Sequence, residues 1–375
     1  MFVGFASAYS FAAFFGAFQA EFGASRGNVA LVFSVAAFLW FLAGAPGGMV
    51  ADRFGARRVA LAGVACLFAA LVLAAVSPSV EALYLTYSIG IGIGVGLVYV
   101  PSVGAVQPWF STRRALASGI AVAGIGAGNI AGPLLAVWWI GLFGWRGAFV
   151  ALAFFVLVLG GVAAAALKNK DVAKAENPRS VRDALRTAPF WLLYASLTLS
   201  CIGLFVPMVH LSPYAQDLGY TEAQGVTLVS LIGLGSLLGR FTVGPFADRM
   251  GREASLAAMY AGLGIMVIVW WAASAWWLLA VFAVVFGVCY GAYVALMPTI
   301  VMDLYGPSAV SGITGFLYTG AGIGTLIGPW LAGVAYDALG GYDLPILGGS
   351  LLSFLAAAII VIMMRSEKTE ILHRG

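Results

Sequence analysis

LVSLIGLGSLLGRFTVGPFADRMGR, residues 228–252, holds a cation inside an apolar run of membrane-spanning length. Arg240 is that cation, and no other Lys or Arg falls within an apolar segment of the chain. A bilayer crossing needs about 20 apolar residues. The interface is expected roughly six residues after Arg240, ahead of the cluster Asp248, Arg249 and Arg252, so at about 1.5 Å per residue the guanidinium starts about 9 Å below it. A cation at such depth costs from about 3 kcal/mol upward. The position therefore calls for a charge partner, and an anionic substrate in a water-accessible cavity is the first one to consider.

The whole chain agrees with a membrane setting. Hydrophobic residues make up 62% of its 375 residues and charged residues 9%, against about 25% charged in soluble domains. The fold class expected is an all-α membrane protein. A net charge of +4 would suggest nucleic acid in a soluble chain, but here the cations sit in loops and report topology; no nucleic-acid partner is expected. Cys66, Cys201 and Cys289 stand singly in apolar stretches without metal or redox spacing, and read as packing residues. Phe2 to Phe22 lacks a basic leader and a small-residue cleavage pattern, so it is expected to be a retained span.

Apolar runs between polar breaks give twelve expected spans, near 2–22, 28–50, 57–77, 80–108, 115–141, 147–168, 188–214, 222–246, 254–273, 276–302, 309–335 and 344–364. The longest polar interval divides them six and six. The expected organisation is a first six-helix bundle over 1–168, a cytoplasmic linker over 169–187, a second bundle over 188–364 and a cytoplasmic tail over 365–375. With both termini and the linker on one side, sixteen of the nineteen Lys and Arg fall there; Arg26 and Arg146 fall on the other, and Arg240 lies within. The positive-inside rule makes the first side cytoplasmic, which predicts a multi-pass protein of the cell membrane.

A repeat appears at one offset. GMVADRFGARR, with Gly48, Asp52, Arg53 and Gly55, returns 196 residues later as GPFADRMGRE, with Gly244, Asp248, Arg249 and Gly251. Gly124, Gly128, Gly132 and Pro133 return as Gly320, Gly324, Gly328 and Pro329 at the same offset. Two motifs sharing one offset indicate a duplicated six-span unit, as in transporters. Glycines four apart let helices approach closely, and here are expected to pack one moving bundle against the other. Gly48, Asp52, Arg53, Asp248 and Arg249, at cytoplasmic helix ends, are candidates for governing conformational change; the alternative is a loop that only sets topology.

Other candidates follow from position. His210, between Pro207 and Pro213, is the only His within a span and a candidate proton carrier; the bland alternative is a bond to a carbonyl freed by those prolines. Tyr99 lies among glycines just before Pro101, and Tyr290 and Tyr293 are three apart on one helix face; each is a candidate substrate contact or a packing residue. Asn129 reads as an interhelical hydrogen-bonding group. Trp138, Trp139, Trp270, Trp271, Trp276 and Trp277 read as an interfacial belt. All fifteen acids lie at or beyond span ends, so no paired-carboxylate catalytic set lies within the membrane. No phosphate-binding loop is present. No enzyme activity, cofactor or metal is expected, and transport would be secondary.

The G-x-x-x-D-R-x-G-x-R-R loop, its second copy and the six-plus-six layout resemble the major facilitator superfamily, whose fold is two six-helix bundles around a central cavity. LFGWRGAF at 142–149, GLFVPMVHLSPYAQDLG at 203–219, Arg240 and MDLYGP at 302–307 further resemble the monocarboxylate transporter family and its bacterial relatives, which include oxalate/formate antiporters. The animal members resemble one another in an Asp four residues before the Arg and a Lys in the first span. Here those positions are Ser236 and, on an ungapped match, Phe15, so the animal-type proton relay is not carried over. The substrate reading puts a carboxylate on Arg240, with Ser236, Tyr99, Tyr290, Tyr293 and Phe15 as candidate contacts and Phe14, Phe15 and Tyr99 packing its apolar body. The coupling partner would be a proton or a counter-anion. One buried cation matches one carboxylate, which points to lactate or pyruvate rather than a dianion; exchange of carboxylates and export of neutral compounds are the alternatives.

Overall fold

The computed structural model describes residues 1–106, 109, 114–168, 181–306 and 310–374. Its helices are α1 (Phe2–Tyr9), α2 (Phe11–Phe22), α3 (Arg26–Phe54), α4 (Ala56–Ala75), α5 (Val80–Leu83), α6 (Ile89–Val106), α7 (Arg114–Phe155), α8 (Gly161–Ala166), α9 (Val181–Ala184), α10 (Ala188–Asp217), α11 (Glu222–Met250), α12 (Arg252–Ala272), α13 (Trp276–Tyr305), α14 (Val310–Leu339) and α15 (Asp343–Arg374). Single wide turns, Tyr84–Ser88 and Val156–Gly160, join α5 to α6 and α7 to α8. Among the described residues ten helical stretches are long and apolar enough to cross a membrane. The protein is a multi-pass membrane protein.

Several expected boundaries shift. The first span is interrupted at Ser10, which separates α1 from α2. The fifth and sixth spans run together as a 47-residue apolar stretch, Ile120–Ala166, about 70 Å long at 1.5 Å per residue and more than twice the roughly 30 Å hydrocarbon core. Gly144, at φ 67° and ψ 172°, breaks it, a conformation glycine adopts without Cβ strain. Before that break Gly124 packs on Phe2 and Gly132 on Ala6; after it Trp145 packs on Phe18 and Phe22, and Phe155 on Phe2. The chain thus reverses at Gly144. At the other end, α15 continues through Arg374 without a break at the expected boundary of 364. Most of the expected linker, 169–180, lies outside the described residues.

The glycine motif has a different place from the expected one. Gly128 packs on the backbone of Phe2 and Ala6, and Gly132 on Ala6; Gly324 packs on the backbone of Thr198 and Ile202, and Gly328 on Ile202. These stripes join helices inside each half rather than one half to the other. The contacts themselves recur at the 196 offset, Ala6 becoming Ile202. Glycines on the opposite helix face meet the other half: Gly126 lies against Gly233 and Leu237 of α11, and its counterpart Gly322 against Phe38 and Phe41 of α3. The other repeated motif is equally regular. Gly55 and Gly251 end α3 and α11 at φ 91° and 85°, with their N–H groups on Ala51 and Ala247. Trp270 is not part of an interfacial belt; it is fully buried and stacks on Phe282 with centroids 5.5 Å apart.

A side chain at Gly132 or Gly328 would overlap helix backbone that cannot step aside. Gly132→Leu and Gly328→Leu should each lower stability in detergent by about 2 kcal/mol or more, whereas Gly141→Ala, with open space around it, should be neutral. Thermal unfolding of the three variants measures the contrast.

Candidate functional site

α1, α3, α6, α7, α10, α11, α13 and α14 line a narrow cavity with about 40 Å³ of free space for a water-sized molecule. Phe5, Tyr9, Trp40, Phe41, Tyr99, Phe205, Tyr290, Tyr293 and Tyr318 supply nine of its fifteen lining residues; Ile125, Leu197, Val294, Met297 and Ala321 add aliphatic surface, and Arg240 the one cation. No Asp or Glu lines it among the described residues. The wall therefore offers aromatic faces, tyrosine hydroxyls and one positive charge.

Arg240 reaches the cavity from α11. Its Nη1 donates to the Val122 carbonyl of α7 at 2.6 Å. Its Nε and Nη2 are buried without a hydrogen-bond partner among the described residues. Those two nitrogens form one edge of the guanidinium fork, the edge that a carboxylate meets with two parallel bonds. Val122 thus fixes the group by one corner and leaves the other side able to take an anion.

Tyr9 faces this charge from the first half. Its hydroxyl lies 3.1 Å from that of Tyr290, a hydrogen bond across the two halves. Phe5 stacks on Tyr9 and meets Tyr99 edge-on at 5.6 Å. The interruption at Ser10 comes directly after Tyr9, and Tyr87 donates to the carbonyls of Ser7 and Ala8 at 3.1 and 3.3 Å. Those two bonds hold the backbone in place just where it presents Tyr9.

The structure brings Arg240, Tyr99, Tyr290 and Tyr293 around the cavity, both tyrosines of the α13 pair included. It does not bring Ser236 or Phe15 there. Ser236 is buried where Gly291 lets α13 rest on its backbone, and its Oγ has no partner among the described residues. Phe15 lies beyond the Ser10 interruption, edge-on to Phe11 and His210, while Phe14 stacks on Phe149 at 4.1 Å. Phe5 and Tyr9, one helical turn apart, take the place expected for Phe14 and Phe15.

His210 is fully buried but is not part of the cavity wall. Nε2 lies 2.8 Å from the Pro329 carbonyl and Nδ1 3.0 Å from the Tyr342 hydroxyl. The carbonyl can only accept, so Nε2 carries the proton and Nδ1 accepts from Tyr342 in the neutral ring. The expected carbonyl partner is there, though it comes from α14 rather than from the flanking prolines. Asn129 Nδ2 meets Met208 Sδ at 3.8 Å, from α7 to α10.

The candidate gating residues sit elsewhere. Gly48 faces Val100 on α6. Arg53 is exposed over the ring of Phe54, and Asp248 and Arg249 are exposed. The side chain of Asp52 lies outside the described residues.

Sequence reasoning missed Phe5, Tyr9, Trp40, Phe41, Phe205 and Tyr318. The repeat held a signal for some of them, since the 196 offset relates Tyr9 to Phe205 and Ile125 to Ala321, and all four line the cavity.

The profile of the Major Facilitator Superfamily matches residues 1–267 and again 193–374, so the chain belongs to that superfamily. It is 29% identical over 347 residues to Monocarboxylate transporter 13 of Rattus norvegicus, covering 89% of this chain and 79% of that protein. Monocarboxylate transporter 3 of Rattus norvegicus is 30% identical over 355 residues, with 88% and 71% covered; Monocarboxylate transporter 12-B of Danio rerio is 28% identical over 412 residues, with 96% and 85% covered. The narrower membership is the monocarboxylate transporter family. These relatives are membrane transporters.

If the free edge of Arg240 holds an anion, Arg240→Gln should abolish substrate binding while leaving the protein folded. Arg240→Lys should also bind poorly, because an ammonium lacks the two-pronged edge. Binding to detergent-solubilised protein, followed by calorimetry with lactate or pyruvate, measures both, and wild-type affinity in Arg240→Gln would refute the assignment.

Proposed function

We propose that this protein is a secondary transporter of monocarboxylates of lactate or pyruvate type. It works by alternating access of two six-helix bundles, twelve crossings in all, with both termini in the cytoplasm of a cell whose plasma membrane it spans. The observation that carries the reading is Arg240 itself, a residue of the wall of a cavity between the two halves whose described lining holds no carboxylate, with Nε and Nη2 buried and without a partner among the described residues. The sixteen-to-two distribution of cations supports the orientation.

The substrate carboxylate sits on Nε and Nη2 of Arg240. Tyrosine hydroxyls from Tyr9, Tyr99, Tyr290 and Tyr293 take the oxygen at its second carbon, and the rings of Phe5 and Trp40 cover its short apolar body. A single cation balances a single carboxylate. A dianion would bring a second charge into the same apolar walls uncompensated, at a cost of several kcal/mol. Oxalate should therefore inhibit labelled lactate uptake into proteoliposomes more weakly than pyruvate does, by about tenfold or more, at a pH where both are ionised. Stronger inhibition by oxalate would favour the carboxylate exchanger instead.

Transport is coupled to a proton, with His210 as the carrier. A proton added to the neutral ring must go to Nδ1, because Nε2 already donates to Pro329. Nδ1 then becomes a donor, and the Tyr342 hydroxyl must turn to accept from it. That hydroxyl also accepts from Arg26, which is bound to Asp217 beside Tyr336 and Asp337, so the proton is felt at the face where the halves meet. Asp52, Arg53, Asp248 and Arg249, with Gly48, govern the conformational cycle rather than binding. An inward proton gradient should stimulate lactate uptake severalfold, and His210→Gln should lose that stimulation. Equal uptake with and without the gradient would point to anion exchange.

A further inference from the structure

Far from the cavity, at the face where α2 ends and α3 begins, one residue of the first half is gripped by three elements of the second. Arg26 opens α3. Its Nη1 and Nη2 donate to Asp217 Oδ2 and Oδ1 at 2.7 and 2.6 Å, a bidentate pair with the end of α10. Nη1 also donates to the Tyr342 hydroxyl at 2.8 Å, and the guanidinium carbon lies 3.9 Å above the centre of the Tyr336 ring. The backbone grips as well. The N–H groups of Arg26 and Gly27 donate to Asp337 Oδ1 and Oδ2 at 2.9 and 2.8 Å.

The second grip is a helix cap supplied in trans. The first N–H groups of a helix have no partner within it and carry the positive end of its dipole. Ser25 takes the N–H of Asn28, and Asp337, on the last turn of α14, takes two of the others. Beneath the cap, Gly27 rests on Val334, and Gly333 on the backbone of Gly27. Two carboxylates thus face one guanidinium and one helix N-terminus, which together offset most of the acids' charge, and the Arg26 side chain is only 12% exposed. The duplicated fold does not require this arrangement. The repeat-related positions of Arg26 and Asp337 are Glu222, of opposite charge, and Gly141.

We infer that Arg26 and Asp337, with Asp217, form a latch between the halves that holds this face shut in the conformation seen and that must release for the cavity to open there. Trp40 and Phe41 of the cavity wall lie on the same helix, about 21 Å further along at 1.5 Å per residue. Pulling α3 away from α14 would strand two carboxylates, a guanidinium and two backbone N–H groups, all of which then need water. The latch therefore favours the state closed at this face and makes opening a concerted step. At the opposite face the pair Arg252–Asp303 lies within the second half, and so does not tie the halves together.

This inference rests on the alternating-access reading but not on the identity of the substrate, and the test uses neither uptake nor substrate. The full chain, with its three cysteines replaced by Ser, carries Phe41→Cys as reporter. It is reconstituted in vesicles presenting the Arg26 face to the medium and treated with a membrane-impermeant maleimide. Asp337→Asn and Arg26→Gln should each speed labelling of the reporter about fivefold or more. The exchange Arg26→Asp with Asp217→Arg should return it toward the parent rate, a rescue that misfolding would not give. Arg146→Gln breaks an ion pair on the same face but inside the first half, with Glu21, and should leave labelling unchanged. Parent-rate labelling in both Asp337→Asn and Arg26→Gln would overturn the latch, as would equal acceleration by Arg146→Gln. Failure of lactate or pyruvate to bind the parent protein would count against the proposed substrate and leave this result standing.

Discussion

A guanidinium held among aromatic rings and bonded to one backbone carbonyl is the constraint to which the cavity is built. Away from water each polar group needs a partner, and a charged one needs it most. Arg240 has Val122 on one nitrogen and no partner among the described residues for the other two. The walls around it are rings and tyrosine hydroxyls, which can solvate charge without neutralising it. That combination leaves the cation attractive to a carboxylate rather than spent on one of the protein's own. No acid lines the same space among the described residues; an Asp or Glu there would pair with Arg240 and compete with any anion.

Holding such a group between two halves requires helices to approach closely in some places and to part in others. The two faces of the repeated glycine segment meet different halves. Gly128, Gly132, Gly324 and Gly328 bring helices into backbone contact within a half, where no side chain could intervene. Gly126 and Gly322 meet the other half, Gly126 on the backbone of Gly233 and Leu237 and Gly322 on Phe38 and Phe41. The same duplication places Tyr9 and Phe205 at related positions in the cavity wall, so aromatic character comes from both halves, while the charge of Arg240 is present in only one.

Asymmetry of that kind recurs wherever the chain is specialised. The helix-ending glycines Gly55 and Gly251 are alike in geometry, because ending a helix is a task both halves share. Arg26 and Glu222, at related helix starts, differ in charge, and only the former is clasped by the opposite half. His210 connects to that cluster through Tyr342. The imidazole and the Arg26 cluster therefore share a hydroxyl.

What the sequence by itself determined is everything governed by length, period and charge. Apolar runs long enough to cross a bilayer, a 196-residue repeat and an isolated Arg240 are properties of the chain, and they define a duplicated helical membrane protein with a buried cation. Tyr99, Tyr290 and Tyr293 were legible because glycine neighbours or a three-residue spacing set them on one face of a helix. Tertiary structure decided which way each helix is turned and which helix it meets. Phe15 and Tyr9 are equally aromatic and lie in the same apolar run, yet only Tyr9 lines the cavity with Arg240, because six residues at about 100° each turn the two side chains to different sides of the helix, and Tyr87 holds the backbone at Ser7 and Ala8. Ser236, one turn from Arg240, is turned away for a like reason, since Gly291 draws α13 onto its backbone. Arg26 read only as a loop cation, and its partners lie 191 to 316 residues away. No local pattern encodes such contacts: they depend on the free energy of packing one finished half against the other.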